Sequence, residues 1–145
     1  MVKAIRIHTA GGPEQMQWED VEVGAPAAGQ VRVRHTAIGL NFIDVYHRTG
    51  LYPLPLPHGL GMEGAGVVEA VGDGVTHLAE GDRVAYASPP PGSYAEARLI
   101  AGDALVKIPD GVDDETAAAM VLKGMTAQFL IRQTYRVTPG DTILI

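Results

Sequence analysis

The sequence predicts a mainly β chain with helices: a barrel of short strands over residues 1–112, then helices and a final apolar strand over residues 113–145. Three observations carry this reading. Apolar and polar residues alternate with period two in short runs through the first two-thirds of the chain, the pattern of half-buried strands. Gly, Pro and Asp clusters punctuate those runs at the spacing of a closed or partly closed barrel. After Pro109-Asp110-Gly111 the pattern changes to helical.

Residues 3–8 alternate until Gly11-Gly12-Pro13 breaks the pattern, and residues 16–23 alternate again. In residues 30–38, Val31, Val33 and His35 share one face against Arg32, Arg34 and Thr36 on the other. Residues 41–48 form a short helix, with Phe42, Val45 and Tyr46 at helical spacing. Residues 52–57 carry Pro53, Pro55 and Pro57, which deny ladder hydrogen bonds and make a loop. Residues 66–71 form a strand ending in the turn Gly72-Asp73-Gly74, and Glu80-Gly81-Asp82 turns the chain into a strand over 83–87. The rigid loop Pro89-Pro90-Pro91-Gly92 precedes a strand over 93–100. Asp113, Asp114 and Glu115 place negative charge at a helix start, where the macrodipole favours it. Residues 117–135 read as helical with a break at Gly124, and Pro139-Gly140 ends them. Residues 141–145 then resemble a buried parallel strand. Such a strand cannot bury both faces within this chain, so the 145 residues are expected to be the front part of something longer.

Composition narrows the function classes. The chain is 46% hydrophobic and 19% charged, ordinary values for a globular domain. Its net charge is −6 and its 11 basic residues are scattered, which argues against a nucleic-acid partner. The absence of cysteine excludes disulfides, thiolate zinc sites and a cysteine nucleophile, and fits the cytoplasm. The N-terminus alternates and so lacks the apolar core of a signal peptide. No apolar run approaches the ~20 residues that span a bilayer, so no membrane partner is expected.

The glycine run Gly61-Met62-Glu63-Gly64-Ala65-Gly66 invites a dinucleotide-binding reading, but position 69 is Glu and the run leads into a β-branched strand. Close packing of strand against neighbour explains the small residues better. Glu63 is a possible general acid or base; the favoured reading is a partly buried carboxylate bonded to backbone or Arg groups. His8, His35, His47, His58 and His77 show no metal-ligand spacing, and His58 with Glu63 lacks a third ligand. No metal is expected.

Four segments carry a family resemblance: Ile38-Gly39-Leu40-Asn41-Phe42-Ile43-Asp44-Val45-Tyr46, Arg48-Thr49-Gly50-Leu51-Tyr52-Pro53, Leu60 to Gly66, and Leu122-Lys123-Gly124-Met125-Thr126-Ala127 with Arg132-Gln133-Thr134-Tyr135. In order and spacing the chain resembles the zinc-free NADPH:quinone oxidoreductases, the zeta-crystallin-like branch of the medium-chain dehydrogenase/reductase superfamily. In that superfamily a metal-binding histidine commonly precedes the glutamate, where this chain has Met62. The resemblance implies a GroES-like barrel catalytic domain over 1–112. Over 113–145 it implies connecting helices and the first strand of a truncated Rossmann domain, whose NADPH pyrophosphate turn would follow Ile145.

The resemblance also implies site residues. Asn41, Phe42, Ile43, Asp44, Val45 and Tyr46 would lie against the nicotinamide end of NADPH, offering backbone N–H groups. Lys123, Thr126 and Phe129 would sit on the cofactor-facing helix segment, with Phe129 lacking a hydroxyl. Asn41, Tyr46 and Tyr52 would bind the quinone by stacking and hydrogen bonding. No catalytic acid is identified. The implied activity passes reducing equivalents from NADPH to a quinone or other electron-poor carbonyl in a protein that is a homodimer at full length, with the fragment alone inactive. Two other readings stay open: a non-catalytic GroES-like binding module, and an enoyl or enone reductase of the same superfamily.

Overall fold

Alternation in the sequence becomes two antiparallel sheets in a computed structural model that describes residues 1–144. In the first sheet, β1 (Val2–Ile7) pairs with β2 (Met16–Val21) on one side and with β4 (His58–Gly59) on the other. Pro13 opens the short 3-10 turn between β1 and β2, where its fixed φ suits the first helical position. The second sheet runs in the order β7 (Ala97–Ala101), β3 (Gln30–Gly39), β5 (Glu63–Val71), β6 (Arg83–Ala87), β8 (Val106–Lys107). The β3–β5 ladder shifts register between Arg32 and Val33 and again between His35 and Ala37, irregularities that bend and twist a strand pair.

The sheets meet at an Ala4–Ala95 bridge. Ile5 N–H donates to the Tyr94 carbonyl at 2.7 Å, and Glu96 N–H donates to the Lys3 carbonyl at 2.8 Å. The result is the partly closed barrel that the strand spacing predicts. Val31, Val33, Val68, Leu78, Val84, Tyr86, Ile100 and Leu105 fill it.

Two α-helices accompany the sheets among the described residues. α1 (Phe42–Thr49) leaves the end of β3 and stops at Gly50, which takes the left-handed conformation (φ 78°) open to glycine at a helix C-terminus. α2 (Asp114–Gln128) starts where Asp113 accepts a hydrogen bond from Thr116 N–H at 2.6 Å. Ala117 and Ala118 of α2 pack on Ala65, Ala85 and Ile108, a contact made close by small side chains on both surfaces. A Cβ at Gly39 would collide with the Ala118 carbonyl and the Glu63 carboxylate, and one at Gly66 with the backbone of Arg34. The glycines therefore permit close packing and form no phosphate loop.

Several sequence expectations need correction. α2 runs through Gly124 without a break, because an exposed helical glycine weakens a helix by only about 1 kcal/mol relative to alanine. The irregularity comes later, as a π-helical stretch over Phe129–Thr134. β5 begins at Glu63, three residues earlier than predicted, since glycines can pair in a ladder as readily as they turn. Residues 93–96 carry the crossing to β1, so β7 starts only at Ala97. Residues 141–144 lie in no strand, and Ile145, the end of the predicted strand, lies outside the described residues. Among the described residues, no helix is long and apolar enough to cross a membrane.

Candidate active site

The end of β3, the start of β5 and the third turn of α2 converge on one carboxylate. Gly39 of β3 pairs with Glu63 of β5, which places the Glu63 side chain beneath α2. Glu63 is 0% exposed. A buried carboxylate is tolerated only when its oxygens are satisfied, and here each is. Oε1 accepts the Leu122 N–H at 2.7 Å. Oε2 accepts Asn41 Nδ2 at 2.8 Å and Lys123 Nζ at 3.4 Å. Lys123 Nζ also donates to Asn41 Oδ1 at 2.9 Å, closing an Asn41–Glu63–Lys123 triangle. The expected backbone partner of Glu63 is present, but its cation is Lys123 and not an arginine.

Asn41 is also where α1 begins. Its N–H donates to Asp44 Oδ2 at 3.0 Å, so Asp44 caps the helix from within the first turn. Tyr94 donates its hydroxyl to the same oxygen at 3.0 Å. Burial, reinforced by the negative Asp44, pushes the Tyr94 phenol well above its ordinary pKa. Asp44 is itself buried, with Oδ1 lacking a partner, so its side chain turns inward and organises α1. His47, one turn on, is buried with Nδ1 unpartnered; burial lowers its pKa against the opposing pull of Asp44.

The opposite face of α1 carries aromatic rings. Phe42 and Tyr46 lie 6.0 Å apart between centroids, and Tyr46 meets Tyr52 edge-on at 5.3 Å. Tyr52 N–H donates to the Tyr46 carbonyl at 3.1 Å, which fixes the loop on the helix. Phe42 and Tyr52 are both exposed, so this wall of rings faces solvent directly beside Asn41. Ile43 and Val45 are half-buried between the two faces.

The sequence-predicted residues thus divide. Asn41 and Lys123 meet through Glu63, while Phe42, Tyr46 and Tyr52 form one cluster next to them. Thr126 donates its hydroxyl to the Leu122 carbonyl at 2.9 Å, inside its own helix. Phe129 lines a separate cavity of about 750 Å³ with Tyr86, Met120 and Met125. The Glu63–Lys123 pairing had no local signal, because the partners are 60 residues apart in sequence.

A second polar group lies behind the site. His35 Nδ1 faces the Ala95 carbonyl at 2.6 Å, and Nε2 faces the Tyr86 hydroxyl at 2.7 Å. A carbonyl can only accept, which puts the proton on Nδ1 and makes Tyr86 the donor to Nε2. Burial, with a smaller contribution from the Arg98 charge, pushes the imidazole down to about 4. Among the described residues, no group of three or more His, Asp or Glu side chains is placed to hold a metal ion.

The family described as the alcohol dehydrogenase GroES-like domain matches residues 27–110, more than half of the chain. The chain belongs to this family. Its GroES-like barrel continues into close relatives over almost its whole length. It is 55% identical to a quinone oxidoreductase of Pseudomonas aeruginosa over 145 residues, covering 99% of this chain and 45% of the relative. It is 50% identical to a 2-haloacrylate reductase of a Burkholderia species over 152 aligned positions, covering 100% of this chain and 45% of the relative. The crystal structure of Escherichia coli quinone oxidoreductase complexed with NADPH superposes with a TM-score of 0.93 at 44% identity, covering 96% of this chain and 43% of that one. This GroES-like chain therefore spans less than half the length of the curated relatives it matches. The resemblance carried by four short segments extends across the chain, as a member of the medium-chain dehydrogenase/reductase superfamily.

Proposed function

We propose that the whole protein is an NADPH-dependent quinone oxidoreductase, with residues 1–112 as its acceptor-side barrel and residues 113–145 as the connection to a cofactor domain. One observation carries the reading: a buried carboxylate holds a lysine at the start of α1, directly beside an exposed aromatic wall. The likeness to quinone oxidoreductases, one of them complexed with NADPH, supports it.

The residues present fit the nicotinamide end of such a cofactor. The first turn of α1 offers the backbone N–H groups of Phe42 and Ile43, whereas that of Asp44 already bonds the Asn41 carbonyl at 3.0 Å. Phe42 and Tyr46 offer exposed or half-exposed ring faces, and Val45 a half-buried apolar edge. Asn41, Ile43 and Asp44 shape that turn from within, and Lys123 reaches it from α2, whereas Thr126 and Phe129 face away from it in this chain. The donor set does not suit zinc, because the ammonium of Lys123 already occupies the carboxylate that would bind it.

When bound, NADPH supplies the hydride. The chain's part is to orient the acceptor ring against Tyr46 and Tyr52, to exclude water, and to direct N–H and O–H donors at the acceptor oxygen. Tyr52→Phe and Asn41→Ala are each expected to lower kcat for quinone reduction by the whole protein by about tenfold or more. Tyr52→Phe should leave the NADPH Kd unchanged. Unchanged kinetics in both variants would remove these residues from the site. The 2-haloacrylate reductase relative favours a second reading, in which the acceptor is an activated alkene. A substrate panel decides between them: quinones reduced faster than enones and haloacrylates support the first reading, and the reverse order establishes the second.

A further inference from the structure

We propose that the Lys123 ammonium is the positive charge that receives the acceptor's oxygen during reduction, and that Glu63 and Asn41 are positioning residues that hold it there. This rests on the oxidoreductase reading above and names the group that performs its electrostatic step.

The geometry is asymmetric in a way that simple packing does not require. Glu63 is sealed from solvent, whereas the Lys123 side chain is 57% exposed. The pair therefore seals its anion inside, while the lysine that meets it stays open to solvent along its side chain. Lys123 sits 2.9 Å from the neutral Asn41 amide oxygen but 3.4 Å from the Glu63 carboxylate, so its charge is held more closely by a dipole than by a counter-ion. An ammonium has three N–H donors. Two are engaged here, and the exposed side chain borders an open cleft of about 410 Å³ between Thr36–Leu40 and Glu115 and Ala119 of α2. Asn41, which bridges Lys123 to α1, is followed immediately by Phe42, the first ring of the aromatic wall. On this proposal a flat acceptor lies beside Asn41, between that wall and the cleft, with its oxygen on the remaining N–H.

In the reaction, the acceptor gains a hydride from the reduced nicotinamide, which ends oxidised. The two electrons leave one acceptor oxygen as an anion. Lys123 hydrogen-bonds to that oxygen without giving up its own proton, and a proton from solvent water completes the reduced product. A lysine suits this role because its charge is compact and directed at a single atom.

The test uses a flat oxyanion as probe and needs no turnover. The protein is labelled with ¹⁵N-lysine and titrated with 4-nitrophenolate, at a pH where the probe is fully ionised, and with its neutral ether 4-nitroanisole. The phenolate is expected to shift the Lys123 Nζ resonance and to bind about tenfold tighter than the ether or better. Lys123→Arg should keep most of that preference. Lys123→Met should abolish it, and so should the double variant Lys123→Met/Glu63→Gln, which leaves no unpaired buried carboxylate and so preserves the fold, as circular dichroism can verify. No phenolate preference in the parent, or a preference that survives in the folded double variant, overturns the proposal. Quinone reduction without a phenolate preference would sink this assignment alone. A Lys123-dependent preference without quinone reduction would keep the oxyanion site and sink the oxidoreductase reading.

Discussion

His35 shows how one part-buried residue sets a pH dependence. In the fold its imidazole stays neutral down to about pH 4, because burial and the Arg98 charge disfavour the cation. In the unfolded chain it takes up a proton below its ordinary value of 6.5. Between those limits the unfolded state binds more protons, so stability rises with pH. The contribution is fully present above 6.5 and is lost as pH falls toward 4, up to about 3 kcal/mol. His35→Gln is expected to flatten the urea midpoint across this window; an unchanged slope would mean the imidazole is not buried neutral. Asp82, Asp113, Asp114 and Asp141 are held below the ordinary carboxylate value and act in the same direction, but at lower pH. Gly39 gives a sharper packing test. Gly39→Ala drives a methyl into the Ala118 carbonyl and the Glu63 carboxylate and should cost about 1–3 kcal/mol, whereas Gly24→Ala meets open space and should cost far less. Thermal unfolding of the two variants separates them. The sequence pointed to close packing at the glycines of residues 61–66; it did not show that Gly39 shares the constraint, because that depends on α2 crossing β3.

At the scale of elements, α2 is fixed at its first turn by two different devices. Asp113 caps it by accepting Thr116 N–H. Asp114 ties it to the barrel, accepting from Arg83 Nε at 2.8 Å and from the Thr36 hydroxyl at 2.6 Å, while Arg83 Nη2 also donates to the Val112 carbonyl at 2.7 Å. Asp113→Ala should cost about 1 kcal/mol, the usual value for a lost cap. Asp114→Ala should cost more, because it leaves Arg83 and Thr36 without their shared partner at a half-buried contact. Equal unfolding midpoints for the two variants would show that the Arg83 link adds nothing. The acidic run 113–115 made this helix start legible in sequence, as alternation did for β1, β2 and β3. The two-residue strands β4 and β8 were not legible, being too short for any period to show. Neither was the continuity of α2 through Gly124, where packing of the preceding turns outweighs a single residue's weak propensity.

Across the whole molecule, the barrel was readable because each strand's pattern is local, while the Asn41–Glu63–Lys123 triangle was not, because it joins three segments far apart in the chain. The same long-range view bears on the NADPH binding that the proposed function calls for. A dinucleotide's phosphates need a helix N-terminus with open N–H groups and no competing negative charge. Of the two α-helices among the described residues, α2 begins with Asp113, Asp114 and Glu115, and the first turn of α1 is capped by the buried Asp44. The glycine run 61–66 lies in strand β5 and its approach, with Gly64 and Gly66 held in β-ladders, and no helix follows it. A net charge of −6 opposes a polyanionic ligand further. On the proposed function, the contact left to this chain is with the nicotinamide end alone, through α1 and Lys123. Calorimetry on the 145-residue chain should therefore show NADPH binding far weaker than micromolar, with no quinone turnover. Lowering the salt should strengthen it little, since a net charge of −6 offers a polyanion no long-range attraction. Saturable micromolar binding would mean that the barrel itself carries a phosphate site, and Lys123→Met would then show at once whether the ammonium serves the phosphates and not the acceptor's oxygen.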